Sequence, residues 1–126
     1  MLVLDSRGVS RLAEQSRCSA ALIAALRDAS LWPPVVPSVV LVECTEGHAG
    51  RDALVNRFLK TCDVVEEVEE RLARRAAWLR RRARRGSAVD ALVVAFAEPS
   101  GTVLTSDSGD LRALAEHASG VLVEVI

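Results

Sequence analysis

The sequence has few cysteines and no long hydrophobic run. Its three cysteines, Cys18, Cys44 and Cys62, are odd in number and far apart. That spacing fits neither a disulfide framework nor a CxxC metal site, so we expect reduced, mostly buried thiols. No apolar stretch reaches the roughly 18 residues that a membrane span needs, and the N-terminus lacks the basic and apolar regions of a signal peptide. We therefore expect a cytoplasmic protein that does not cross a membrane.

The chain also lacks an excess of charge of either sign. Its formal net charge is -1, although 26% of its 126 residues are charged. Bulk charge therefore predicts neither nucleic-acid binding nor membrane binding. Half of the residues are hydrophobic, which at this length fits one compact domain over residues 1–126 with a substantial core.

Short apolar runs alternate with segments of helical periodicity along the chain. The runs predict strands over 2–4, 35–36, 62–65, 102–105 and 121–125. Helices are predicted over about 10–30 (one bent or two short), 39–45 with Ser38 as N-cap, 51–60, about 65–85, 88–97 and 111–117. This alternation predicts an α/β fold: a three-layer α/β/α sandwich with a central, mostly parallel sheet of four to five strands.

Isolated acidic residues interrupt the apolar segments. Asp5 ends the first predicted strand, and Asp107 and Asp110 follow the fourth. Glu43 and Asp90 lie in helices that flank the sheet. Ligands of parallel sheets bind beyond the carboxyl ends of strands, so these side chains could converge on one crevice. Clustered carboxylates repel each other unless a divalent cation neutralises them, and an all-oxygen site selects Mg²⁺ or Mn²⁺.

Each acidic residue also has a purely structural interpretation. Asp107 and Asp110 could merely cap the last helix, so Asp110 is either a fifth ligand or only the first-turn acid of that helix. Asp90 could be an N3 residue that the helix dipole favours. Asp5 could form a turn with Ser6, and Glu43 could face solvent.

The order of the acidic motifs resembles a known enzyme family. The segments LVLDS, PSVVLVE, DALVVAFA and VLTSD, with DL following, are similar to those of PIN-domain ribonucleases, specifically the VapC toxins of bacterial VapBC toxin–antitoxin pairs. The resemblance covers nearly the whole chain and implies a PIN-like fold. The family's acidic set falls on Asp5, Glu43, Asp90 and Asp107, and Asp110 matches a second acid that many members have.

The resemblance implies a metal-dependent endoribonuclease that leaves a 3′-hydroxyl and a 5′-phosphate. Mg²⁺, or Mn²⁺ in its place, would be held by Asp5, Asp90 and Asp107. Glu43 would ligate the metal, hold a coordinated water or accept the proton of the attacking water. The implied partners are an RNA substrate, a small VapB-type antitoxin and a second copy in a homodimer.

Two positions depart from the family pattern. Members usually have Thr and then Ser after the first acid, whereas here Ser6 is followed by Arg7, so Ser6 is the supporting hydroxyl candidate. Val89 precedes Asp90, where other members often have a polar residue or His.

The segment before Asp90 is rich in arginine. Eight of the fifteen residues from 71 to 85 are Arg. A solvated helix face whose basic end suits the helix dipole explains them without any ligand. Their position next to the acidic set could instead bring RNA phosphates to it. The candidates for RNA binding are Arg80, Arg81, Arg82, Arg84 and Arg85.

Two other classes of protein fit parts of the pattern. The first is a PIN-like module that binds RNA or a partner protein without significant nuclease activity. The second is a receiver-like signalling module that is phosphorylated on an acid at a strand end. A receiver needs a Lys on a late strand, and the one lysine of this chain, Lys60, lies in a predicted helix.

Overall fold

Five short strands and seven α-helices alternate along residues 1–126, all of which the computed structural model describes. The strands are β1 Leu2–Leu4, β2 Val35–Pro37, β3 Asp63–Val65, β4 Thr102–Thr105 and β5 Leu122–Val125. The helices are α1 Ser6–Leu12, α2 Arg17–Asp28, α3 Leu41–Cys44, α4 Ala53–Leu59, α5 Glu70–Ala83, α6 Ala88–Ala97 and α7 Gly109–Ala115.

The strands form one sheet in which all neighbours are parallel, in the order β3-β2-β1-β4-β5. Val3 at the centre pairs with Val35 on one side and with Val103 on the other. The predicted three-layer α/β/α sandwich is therefore confirmed. The chain order reverses direction between β1 and β4, and such a reversal leaves a crevice at the carboxyl ends of the two strands.

The hydrophobic core lies on both faces of β1 and β4. All three residues of β1 are buried, as a central parallel strand requires. The most apolar helix, α6, buries Val93 and Val94, while α5 and α7 contribute Leu79 and Leu114. Each fully buried Val or Leu stabilises the fold by about 1.5–3 kcal/mol, so this core fixes the strand ends that carry the acidic residues.

The sequence predicts either one bent helix or two short helices over about 10–30, and the structure has two, α1 and α2. Ser16 ends the break by capping α2, because its Oγ accepts a hydrogen bond from Ser19 N at 3.0 Å. The helix before the break starts earlier than expected, at Ser6, because Asp5 is its N-cap.

The prediction that Ser38 caps a helix over 39–45 is wrong. A 3₁₀ helix spans Ser38–Val40 and leads into the four-residue α3. The Ser38 hydroxyl donates instead to the carbonyl oxygen of Glu66 at 3.0 Å. It therefore ties this turn to the chain leaving β3 and caps no helix.

The cysteines are free, as expected, but less buried than expected. Cys18 is exposed, and Cys44 and Cys62 are half-buried. Burial raises the pKa of both Cys44 and Cys62 to about 11, which makes them unreactive thiols at neutral pH. None of the helices combines the length and the apolarity that crossing a membrane requires.

Candidate carboxylate site

Asp5 is a buried acid at the carboxyl end of β1, with 5% of its surface exposed. Its Oδ1 accepts a hydrogen bond from Gly8 N at 2.7 Å, which caps α1. Its Oδ2 accepts one from the Thr105 hydroxyl, also at 2.7 Å. Both oxygens are therefore held, one by the helix that follows β1 and one by the neighbouring strand.

Gly8 allows this arrangement because α1 runs close against β4. A Cβ atom at this position would collide with the backbone carbonyl oxygen of Leu104. The absence of a side chain at Gly8 therefore sets how near the start of α1 comes to the end of β4.

Thr105 joins the ends of the two central strands. It is the last residue of β4 and is fully buried. Its hydroxyl donates to Asp5, and the same oxygen accepts from Asp107 N at 3.0 Å. Sequence reasoning missed this role, for which the only signal was a polar residue ending a buried apolar strand.

The acidic residues surround one polar hollow of about 370 Å³ at this edge of the sheet. Asp5 comes from the end of β1, Glu43 from α3, and Asp90 from the first turn of α6. Asp107 and Asp110 come from the segment after β4. The full lining is Asp5, Ser6, Arg7, Glu43, Arg85, Asp90, Asp107, Gly109, Asp110 and Leu111. All the candidate acids and Ser6 are thus brought together.

The electrostatics of the hollow appear most clearly at Asp5. Burial raises the pKa of Asp5, and the negative charges of Asp90 and Glu43 raise it further. The hydrogen bonds from Gly8 and Thr105 oppose this rise without cancelling it. The charges of Glu43 and Asp90 therefore disfavour the ionised form of Asp5.

Asp90 combines the structural and the functional interpretations. Ser87 Oγ accepts from Asp90 N at 3.0 Å, and Asp90 Oδ2 accepts from Ser87 N at 3.2 Å, which completes a capping box at the start of α6. The same carboxylate lines the hollow. The cap therefore fixes where this acid stands.

Asp110 lies in the first turn of α7 and forms an ion pair with Arg85, whose Nε is 2.8 Å from Asp110 Oδ1. Arg85 is the one member of the predicted RNA-binding group that lines the hollow. Arg80 instead donates to the Gly86 carbonyl at 3.1 Å, and Arg82 lies over the Trp78 ring at 4.9 Å. Only one of the five arginines therefore lines the hollow, and it lies beyond the end of α5.

The donor set suits a hard divalent cation, since the titratable groups that could ligate one are all carboxylates and a positive charge would relieve their repulsion. As the side chains stand, however, no group of three or more His, Cys, Asp or Glu residues is arranged to hold a metal ion. Three of the carboxylates already have protein partners: Asp5, Asp90 and Asp110. The residues therefore fit such an ion in chemistry, and the side chains would have to move to enclose it.

The remaining candidates for chemistry lie outside the hollow. His48 uses its Nδ1 to accept a hydrogen bond from Arg51 N at 3.2 Å. His117 and Lys60 do not line the hollow, so no lysine is available there for a receiver-like site.

Comparisons with known proteins bear on the fold. No protein-family model matches the chain, and no curated protein matches it. Among solved structures, it is similar to the crystal structure of PAE2754 from Pyrobaculum aerophilum, with 16% sequence identity and a TM-score of 0.60. The match covers 97% of this chain and 89% of that one. At this identity the likeness shows a shared fold alone.

Proposed function

We propose that this chain is a PIN-domain endoribonuclease of the VapC type, which hydrolyses RNA phosphodiester bonds with Mg²⁺ or Mn²⁺. The observation that carries the proposal is the convergence of Asp5, Glu43, Asp90 and Asp107 on one hollow at the reversal point of a parallel sheet. The fold gains no stability from placing Glu43 and Asp90 where their negative charges raise the pKa of the buried Asp5, so this cluster is a candidate functional site.

The residues of the hollow would have different roles. Asp5 and Asp90, which are fixed by hydrogen bonds, and Asp107 would hold the metal ion. When bound, the ion supplies a water of lowered pKa and polarises the phosphate oxygens. Glu43 is exposed and forms no hydrogen bond or ion pair, so its carboxylate is free to accept a proton or orient a water. Ser6 offers a hydroxyl beside Asp5.

The biological setting of the proposal rests on the sequence motifs. The chain would act in the cytoplasm as the toxin of a type II pair. Its partners would be an RNA substrate, a small VapB-type antitoxin and a second copy of itself in a homodimer.

The decisive experiment is cleavage of total RNA by the purified chain in Mg²⁺ or Mn²⁺, with EDTA as a parallel arm. We expect metal-dependent cleavage that Asp5→Asn and Asp90→Asn reduce to the EDTA background. Glu70→Gln is the matched control, because Glu70 is an exposed acid of α5 that pairs with Arg74 and lies outside the hollow. Cleavage by Asp5→Asn at the wild-type rate would refute the assignment.

A second candidate is a PIN-like module that binds RNA or a protein partner without cleaving RNA. The observation in its favour is that no three acids are arranged to hold one ion. RNA binding without any cleavage in Mg²⁺ or Mn²⁺ would favour this second function over the first.

A further inference from the structure

The acidic hollow continues into a second polar hollow of about 410 Å³. The two hollows share Ser6, Arg7 and Glu43, so they form one groove. The second hollow is lined by Ser6, Arg7, Ser10, Arg11, Glu14, Glu43 and Ser106, with no hydrophobic residue among them. A surface of this kind offers charge and hydrogen bonds and no apolar contact.

Arg7 is an unpaired cation where the two hollows meet. It is exposed, and no carboxylate lies within 4.0 Å of its guanidinium group. Its neighbours in the acidic hollow are five carboxylates, yet it pairs with none of them. All its donors are therefore available to a ligand.

Arg11 lies one helical turn further along α1, on the same side as Arg7. Its NH1 donates to Glu14 at 2.8 Å and its NH2 to Cys18 Sγ at 3.0 Å. These contacts hold the guanidinium group in place, and they leave other N–H donors unused. A cation that is already positioned loses less entropy when it binds an anion.

Three hydroxyl groups complete the second hollow: Ser6, Ser10 and Ser106. None of them forms a side-chain hydrogen bond within the protein, so each has a free donor. Arginine forks and serine hydroxyls are the groups that most often contact phosphate oxygens. The combination fits the anionic oxygens of a phosphodiester and does not fit an apolar ligand.

We propose that this second hollow binds the phosphate backbone of single-stranded RNA beside the bond to be cleaved, with Arg7 and Arg11 as its cations. The cleavage position rests on the proposed nuclease function, whereas binding does not. The acidic hollow repels a polyanion. The neighbouring hollow carries two arginines and two glutamates, Glu14 and Glu43, so its guanidinium and hydroxyl donors, and not an excess of positive charge, would hold the strand beside the acids.

The test is equilibrium binding of a fluorescein-labelled, mixed-sequence single-stranded RNA in EDTA, which prevents metal-dependent cleavage. Arg7→Gln, Arg11→Gln and the double variant are compared with wild type. Arg74→Gln is the control, because it removes the same charge from α5, outside both hollows. We expect each single variant to weaken binding about three- to tenfold and to reduce the slope of log K against log salt by about 0.7, and the double variant to reduce that slope by about 1.4.

The outcomes separate this proposal from the nuclease. If wild type cleaves no RNA but the groove variants bind RNA more weakly than wild type, the nuclease proposal is wrong and the RNA-binding proposal is supported. If wild type cleaves RNA but Arg7→Gln binds RNA with unchanged affinity and slope, the groove proposal fails alone. Arg7 is unpaired, so its variant keeps the fold even if Arg11→Gln is unstable. Arginine-dependent binding of poly-glutamate without arginine-dependent RNA binding would also overturn the proposal, in favour of an acidic protein partner.

Discussion

Asp5 and Asp52 have nearly the same small exposed fraction, but their pKa values are shifted in opposite directions. Asp5 is 5% exposed and Asp52 is 6% exposed. The Asp52 carboxylate accepts hydrogen bonds from the backbone N–H groups of Glu46, Gly47 and His48, at 2.8, 2.9 and 3.2 Å. The hydrogen bond from Glu46 is the largest cause that holds the pKa of Asp52 below its usual value, whereas burial raises the pKa of Asp5.

The difference lies in the donors and neighbours of each carboxylate. Asp52 closes the loop between α3 and α4. Its carboxylate accepts hydrogen bonds from three backbone N–H groups, which stabilise its negative charge. Asp5 has one backbone donor and one hydroxyl, and it faces the charges of Glu43 and Asp90. Burial alone therefore does not mark a functional acid. An acid whose pKa the fold raises beside other carboxylates is the better candidate for function.

The largest expected effect follows from changing the backbone that supports Asp5. Gly8→Ala places a Cβ against the Leu104 carbonyl oxygen, so α1 must move away from β4. We expect the free energy of unfolding to fall by about 3 kcal/mol, measured by urea unfolding. Gly50→Ala is the control, since its Cβ would meet only the side chain of His48. Equal stability of the two variants would contradict the close packing of α1 on β4.

A smaller but clear loss of stability is expected for Asp52→Ala. Removing the carboxylate leaves three N–H groups of the loop without their acceptor, so the melting temperature should drop by several degrees. Asp28→Ala is the control, because Asp28 is an exposed acid at the end of α2. If Asp28→Ala is as destabilising as Asp52→Ala, the loop does not depend on this carboxylate.

The contribution of Asp52 should also depend on pH. Because its pKa is lowered in the folded state from the usual 3.8, it stabilises the protein above that value and loses this effect as pH falls through the folded pKa. Unfolding of wild type and Asp52→Asn at pH 7, 5 and 3 should show a constant difference at the first two and a smaller one at the last. A difference that grows in acid would reverse the assigned sign.

Asp5→Asn is expected to behave in the opposite way to Asp52→Ala. The amide oxygen can still accept from Gly8 N, and the amide nitrogen can donate to the Thr105 hydroxyl, which can donate to the Asp107 carbonyl oxygen instead. The substitution also removes a charge that Glu43 and Asp90 repel. The melting temperature should stay the same or rise slightly while RNA cleavage is lost. A drop in melting temperature as large as that of Asp52→Ala would show that Asp5 is chiefly a structural cap. The two acids would then have the same role.

The sequence predicts the sheet and the acidic set better than the contacts that organise them. Alternating apolar runs indicate parallel strands, and each candidate acid is placed by its position at a strand end or helix start. Thr105 and Asp52 escape sequence reasoning, because their roles come from contacts that no local pattern encodes. Thr105 bonds to Asp5, which is 100 positions away in the sequence. Ser38 fails as a predicted cap for the same reason, since its partner is Glu66.

The smallest expected effect concerns Asp110, whose two interpretations the sequence left open. Its ion pair with Arg85 is solvent-exposed, with 46% of the Asp110 side chain and 59% of the Arg85 side chain accessible. Such pairs stabilise a protein by about 0.2–1 kcal/mol, so Asp110→Asn should hardly change the unfolding free energy.

If Asp110 serves only as the partner of Arg85, Asp110→Asn and Arg85→Gln should reduce RNA cleavage by similar small factors. If Asp110 is a fifth metal ligand, its loss should instead raise the Mg²⁺ concentration needed for half-maximal cleavage, and Arg85→Gln should not. A Mg²⁺ titration of both variants separates the two roles, because it shows whether the carboxylates that bind the metal include Asp110.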